Sequence, residues 1–309
     1  MEAPARTTFK TTREGLDHGL YPMRLFAKAK KLGTWDPAAV DLAQDAADWD
    51  TLTDPERDLL LRLSAQFGGG EESVTADLLP LLGWMGAQGR VEDELFLTSY
   101  LWEEAKHVEA FDRFLREVAR TEADLDGYLT PAYRAHFMAA QPQAMGLLRA
   151  GDVSPETLVE AVVTYQMTTE GVLAETGYHA YFTILQERGI MPGMQQIVQS
   201  IQRDESRHVG YGIYLLSELV AEHGDRAWDA IEARMATALM SVLEVVAEML
   251  APYGDDVPFG VSLDTFLAYA QGQFQKRYAR IEKARGKTLH EIRYGVPAAT
   301  PAIGGDGAA

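Results

Sequence analysis

Trp102-Glu103-Glu104-Ala105-Lys106-His107 and Arg203-Asp204-Glu205-Ser206-Arg207-His208 are the two stretches on which the fold turns. Each contains a Glu-x-x-His pair set into the apolar face of a helical pattern. One face runs Leu97, Leu101, Glu104, His107, Val108, Phe111, Leu115, Val118; the other runs Ile197, Ile201, Glu205, His208, Val209, Gly212, Leu216. Steps of three and four put these residues on one side of an α-helix. A carboxylate and an imidazole, three residues apart, are therefore neighbours on a face that the pattern buries.

Two single glutamates occupy similar places further out. Glu71 lies on the stripe Leu60, Ser64, Phe67, Glu71, Val74, Leu78, Leu81, Met85, in a helix opened by Thr53-Asp54-Pro55-Glu56. Glu170 lies on Val159, Val163, Met167, Glu170, Leu173, Ala174, Gly177, Tyr181, in a helix opened by Ser154-Pro155-Glu156. Glu71 precedes Glu104 by 33 residues and Glu170 precedes Glu205 by 35, so one helix-pair arrangement occurs twice. One Glu from each of two helices and Glu-x-x-His from the other two is the ligand pattern of ferritin-like di-metal carboxylate proteins. The predicted fold is all-α, a ferritin-like four-helix bundle core with additional helices.

Helical patterns near 131–149, 225–252 and 262–286 lack a comparable ligand set and are expected to pack around that core. Residues 1–50 read as an irregular N-terminal region packed on the core with one or two short helices, 51–290 as the di-metal helical domain, and 291–309 as a flexible tail. No strand-like alternation of useful length occurs.

The chemistry follows from charge. Four glutamates supply −4, which balances two divalent cations, and two neutral imidazoles complete the set. An unpaired buried carboxylate costs several kcal/mol, so four together require compensation. Oxygen and nitrogen ligands suit manganese and iron, and the absence of cysteine removes thiolate sites, disulfides and iron-sulfur clusters. A lone Glu-x-x-His is common on solvated helices; two in repeat register on apolar faces are not. Glu72 and Glu103 compete with their neighbours, but the stripes favour Glu71 and Glu104. His18, His136, His179, His223 and His290 lack a matching acid and read as surface or satisfied core histidines. Asp204 and Arg207 fit either outer support of the ligands or an ordinary ion pair. Gly68-Gly69-Gly70 costs a helix about 1 kcal/mol per glycine, consistent with close packing, a local distortion or a nearby ligand.

Composition excludes several classes. In 309 residues, 47% hydrophobic and 24% charged, there is ample material for a buried core. A net charge of −18, read as lacking any basic cluster, gives no footprint for nucleic acid and disfavours anionic membranes. No apolar run is read as reaching the roughly 18 residues of a membrane span, and the N-terminus has no secretory apolar stretch; a cytoplasmic location is expected.

Phe67-Gly68-Gly69-Gly70-Glu71-Glu72-Ser73-Val74, the two Glu-x-x-His stretches and Thr164-Tyr165-Gln166-Met167-Thr168-Thr169-Glu170 together resemble the ligand-binding oxidases related to the small subunit of class I ribonucleotide reductase. The likeness spans most of residues 60–215. It implies an oxidoreductase, a homodimer whose one manganese and one iron (di-iron being the alternative) activate dioxygen for two-electron C–H oxidation, with metal ligands Glu71, Glu104, His107, Glu170, Glu205 and His208. It also implies a long-chain fatty acid held at the metals by its carboxylate, and an ether cross-link between a valine three residues after the first Glu and a tyrosine five before the third, here Val74 and Tyr165. Periodicity alone does not select Tyr165, since five residues are about 140° around an ideal α-helix. The electron donor is not implied.

The rival is the small subunit of a ribonucleoside-diphosphate reductase lacking the radical tyrosine. Radical-bearing relatives carry tyrosine four residues after the first histidine and aspartate as the first ligand; this chain has Phe111 and Glu71. Their tail also carries a tyrosine, whereas the last one here is Tyr294. A desaturase, an N-oxygenase and a metal-storage bundle are further uses of the same skeleton.

Overall fold

Thr53 opens the first long helix: its hydroxyl accepts from the Glu56 amide while the Glu56 carboxylate accepts from the Thr53 amide, with Pro55 in the first turn. The computed structural model describes residues 8–150 and 154–295. Its helices are α1 (Tyr21–Leu32), α2 (Ala43–Thr51), α3 (Asp54–Asp77), α4 (Leu79–Ala87), α5 (Val91–Arg113), α6 (Pro131–Ala135), α7 (Gln141–Leu147), α8 (Pro155–Val162), α9 (Glu175–Arg188), α10 (Pro192–His223), α11 (Asp225–Leu250), α12 (Leu263–Glu282) and α13 (Leu289–Tyr294). No strand occurs among the described residues.

The core bundle is α3, α5, the α8-to-α9 segment and α10. Its third member differs from a simple α-helix: Val163–Ala174, between α8 and α9, is a π-helix of 12 residues. Thr168 and Thr169 hydroxyls bond the carbonyls five residues back, Val163 and Thr164. Such wide turns are rare and mark functional sites. Glu170 lies inside it.

α11 and α12 pack against the π segment, and α1 against α5 and α10. α2 fastens the start of α10, where Asp45 accepts from the Gly193 and Met194 amides at 2.9 and 2.6 Å. α11 continues to Tyr253 as a segment whose length and composition would suit a membrane span. Its Trp228, Ile231, Met235, Val242 and Val245 are buried in the protein at helical spacing, as in a helix of a bundle. Of the tail expected at 291–309, α13 covers the first residues and everything from 296 on lies outside the described residues.

Apolar residues form two large clusters, one containing Val74, Leu78, Phe96, Tyr165 and Leu216, the other Leu60, Leu63, Phe111, Tyr178 and Ile201. The predicted ligands lie between these groups in sequence on each core helix. α3 runs unbroken through Gly68-Gly69-Gly70, so the distortion reading fails. Close packing accounts for Gly69, where a Cβ would meet the Tyr133 hydroxyl at 2.9 Å; Gly70 is only in ordinary contact range of the Phe137 ring at 3.4 Å, and nothing crowds Gly68.

Candidate metal centre

Each core helix turns one buried carboxylate inward: Glu71 from α3, Glu104 from α5, Glu170 from the π segment and Glu205 from α10. With His107 and His208 they form two overlapping groups. Glu71, Glu104, His107 and Glu205 make one, and Glu104, Glu170, Glu205 and His208 the other, with the ligand atoms of each within 4.8 Å of one another. Glu104 and Glu205 belong to both. The histidines are therefore terminal, and the glutamates that accompany them stand between the two groups.

Hydrogen bonding shows what this arrangement lacks. His107 Nε2 faces Asp204 at 3.3 Å and His208 Nε2 faces Glu103 at 2.9 Å. Protons on these outward nitrogens leave each Nδ1 lone pair pointing inward. Both Nδ1 atoms, both oxygens of Glu104 and one each of Glu170 and Glu205 are buried with no hydrogen-bond partner. His107 Nδ1 is 3.5 Å from Glu71 and Glu104 and 3.4 Å from Glu205; His208 Nδ1 is 2.8 Å from Glu104 and 3.5 Å from Glu205. Acceptors facing acceptors require cations between them. Ligand atoms at about 2.1 Å from one ion, at right angles, are about 3 Å apart, so the residues fit two divalent ions.

Burial pushes Glu71 up to about 8, against the opposing pull of His107. It drives Glu170 well above the ordinary carboxylate range, with Glu205 and Glu104 adding to the effect. Protons and cations therefore compete for this cluster, and metal binding releases protons.

A second layer holds the first in place. Tyr178 donates to Glu71 at 2.9 Å, and Tyr100 donates to Glu170 with its ring stacked on His208 at 3.5 Å. Burial raises both phenols well above their ordinary value, so they remain donors. Arg207 bridges Glu103 and Asp204, and Asp204 also accepts from Lys106 at 3.2 Å and from the Trp35 indole at 2.8 Å. Asp204 and Arg207, left without a role by the sequence, are thus outer supports, paired with Glu103. One signal was readable: Glu103 and Asp204 each immediately precede the Glu of a Glu-x-x-His pair, and each serves the histidine of the other pair. Trp35, Tyr100 and Tyr178 had no such signal. Of the competing acids, Glu72 is exposed and Glu103 is in the outer layer.

Tyr165 and Val74 meet: the phenol donates to the Val74 carbonyl at 2.9 Å. The π-helix accounts for it, because a turn closed over five residues brings Tyr165 nearer the face of Glu170 than an α-turn would. A cavity borders the site, lined by Val74, the four glutamates and apolar residues including Leu63, Phe67, Phe137 and Leu173. Phe111 stacks on Phe67 at 4.9 Å and offers no hydroxyl.

A helical bundle with two overlapping carboxylate-histidine groups, each histidine backed by an acid, defines the di-metal carboxylate class. The chain belongs to the ribonucleotide reductase small chain family, whose pattern it matches over residues 24–281. Among solved structures it is similar to an R2-like ligand-binding oxidase with aerobically reconstituted Mn/Fe cofactor, at 34% identity and a TM-score of 0.86, covering 89% of this chain and 98% of that one. A tyrosine-to-phenylalanine variant of an R2-like ligand-binding oxidase, also aerobically reconstituted with Mn/Fe, matches at 34% identity and TM-score 0.84 with the same coverage.

Proposed function

We propose that this chain is a dioxygen-dependent oxidase in which one manganese and one iron would be held by Glu71, Glu104, His107, Glu170, Glu205 and His208, with Glu104 and Glu205 common to both groups. A long-chain fatty acid occupies the adjoining cavity, and Val74 and Tyr165 become joined by an ether bond. The observation that carries this reading is the Tyr165 hydroxyl on the Val74 carbonyl, with Val74 at the wall of an apolar cavity that the four glutamates also line.

When bound, the two cations supply a place for dioxygen to be reduced and two of the four electrons that its reduction to water takes. The other two come from the protein. Forming the ether removes one hydrogen from a Val74 carbon and one from the Tyr165 hydroxyl, and two solvent protons complete two waters. Burial and Glu170 hold the Tyr165 phenol well above its ordinary value, so it keeps its proton until that oxidation. Leu63, Phe67, Phe137 and Leu173 offer an acyl chain apolar contact. The four glutamates would balance two divalent ions, so any higher charge at the site would be offset by an anionic headgroup such as a carboxylate.

The test is reconstitution without oxygen, exposure to air, and mass spectrometry of proteolytic peptides and extracted lipid. The expected result is a joined Val74 and Tyr165 peptide, lighter by two hydrogens than its parts, and a co-purifying fatty acid. Unlinked peptides after full metal loading and oxygen exposure would remove the C–H oxidation reading, and absence of any lipid would remove the fatty-acid reading.

A further inference from the structure

Contrary to the expectation of no basic cluster, Lys276, Arg277, Arg280 and Lys283 stand within eight residues in and just beyond α12, and the fold brings Lys28 and Arg207 beside them. α1, α10 and α12 converge on a groove lined by Lys28, Arg207, Lys276, Arg277, Arg280 and Lys283 against a single acid, Glu175. Glu175 is engaged by Arg277 at 3.5 Å, and Arg207 by Glu103 and Asp204. Lys28, Lys276, Arg280 and Lys283 are exposed, and no described carboxylate forms an ion pair with them. On a chain of net charge −18 this concentrates uncompensated positive charge in one place.

We propose that the groove docks a small acidic electron-transfer protein that returns the oxidised di-metal centre to its divalent state. The inference rests on the oxidase reading above, which consumes two metal-derived electrons. Two reduced one-electron carriers give up one electron each, the two trivalent ions become divalent, and two oxidised carriers leave. The position suits that task. Arg207 lies in the groove and, within the protein, contacts Glu103 and Asp204, the acids that hold His208 and His107. A carrier seated there is separated from either histidine by Arg207 and one carboxylate.

Charge selects the occupant. An acidic protein is repelled by most of this surface and attracted at the groove, which is the condition for electrostatic steering. Leu25, Leu32 and Ile213 add apolar contact among the cations, the mixture found in transient interfaces. A second copy in a two-fold contact would set like charges against each other. A nucleic acid would extend beyond the groove over acidic surface.

Protein loaded with manganese and iron and oxidised in air is mixed, without oxygen, with reduced plant-type [2Fe–2S] ferredoxin as the probe. Bleaching of the oxidised centre's absorption gives the reduction rate, and carbodiimide cross-linking with peptide mapping gives the contact. The expected result is cross-links at Lys28, Lys276 and Lys283, and a second-order rate at low salt that falls about tenfold or more in Lys276→Glu/Arg280→Glu/Lys283→Glu but not in Arg116→Glu, the difference closing at high salt. Metal content and melting temperature show whether each variant folds. For a variant that does not fold, the wild-type cross-link map and salt dependence decide the matter. Cross-links elsewhere, links between two copies of this chain, or a rate indifferent to both salt and charge reversal overturn the proposal. Dithionite, which needs no docking, separates the two readings: if it cannot reduce the wild-type centre the oxidase reading fails, and if it can while ferredoxin does not use the groove only the docking fails.

Discussion

His136 shows how far a single residue's chemistry depends on its surroundings. Its Nε2 lies 2.7 Å from the Thr169 hydroxyl, which itself donates to Gln141, and burial together with Arg234 pushes its pKa down to about 4 from an ordinary 6.5. The sign follows. The folded protein holds this imidazole neutral, so its contribution to stability is complete above pH 6.5 and is lost as pH falls toward 4. A shift of that size is worth roughly 3 kcal/mol, an order-of-magnitude figure. In His136→Gln, which keeps a polar group opposite Thr169 but cannot titrate, urea unfolding across this window is expected to lose that part of the acid destabilisation; an unchanged pH profile would contradict it. The satisfied-core reading of His136 is what the structure shows.

Among the elements, α10 crosses the π segment at close quarters. Gly212, four residues beyond His208, faces Gln166, and a Cβ there would lie 2.4 Å from the Gln166 Cβ and 2.8 Å from the Met167 methyl. Two effects oppose each other in Gly212→Ala. Helix propensity favours alanine by about 1 kcal/mol, while overpacking costs about 1–3 kcal/mol. Because the clash is with the root of a side chain, the cost is expected to win, and the variant should melt at a lower temperature than the parent. A stabilised variant would mean that the crossing has slack. The π geometry also explains why Tyr165 escaped the α-helical periodicity that found Glu170: the register was legible, the local pitch was not.

For the molecule as a whole, the dominant fact is four carboxylates converging between two apolar clusters. Removing the metals leaves acceptors facing acceptors, relieved only by taking up protons. Mass action adds about 4 kcal/mol of stability when free metal is 1,000 times its Kd. Chelator-treated protein is therefore expected to unfold several degrees below the manganese- and iron-loaded form, with the midpoint rising with metal concentration. Equal midpoints would show that the cluster is not a metal centre. The N-terminal region takes part in this larger arrangement: Trp35 reaches Asp204, and Asp45 secures the start of α10.

The ligand set was legible in the sequence because it is local. Glu104 with His107, and Glu205 with His208, are one helical turn apart, and Glu71 and Glu170 interrupt apolar stripes that periodicity exposes. Those short-range rules, with charge balance, determined the bundle and its candidate di-metal cluster. What surrounds the cluster came from contacts between residues far apart in the chain. Trp35 and Asp204, Tyr178 and Glu71, Tyr165 and Val74, and the cations of α1 and α12 become neighbours only when the helices pack. No periodicity within one helix encodes the identity of a residue on another, so the outer hydrogen bonds and the cavity were decided by the tertiary structure, while the groove joins cations already clustered near the end of α12 to Lys28 and Arg207.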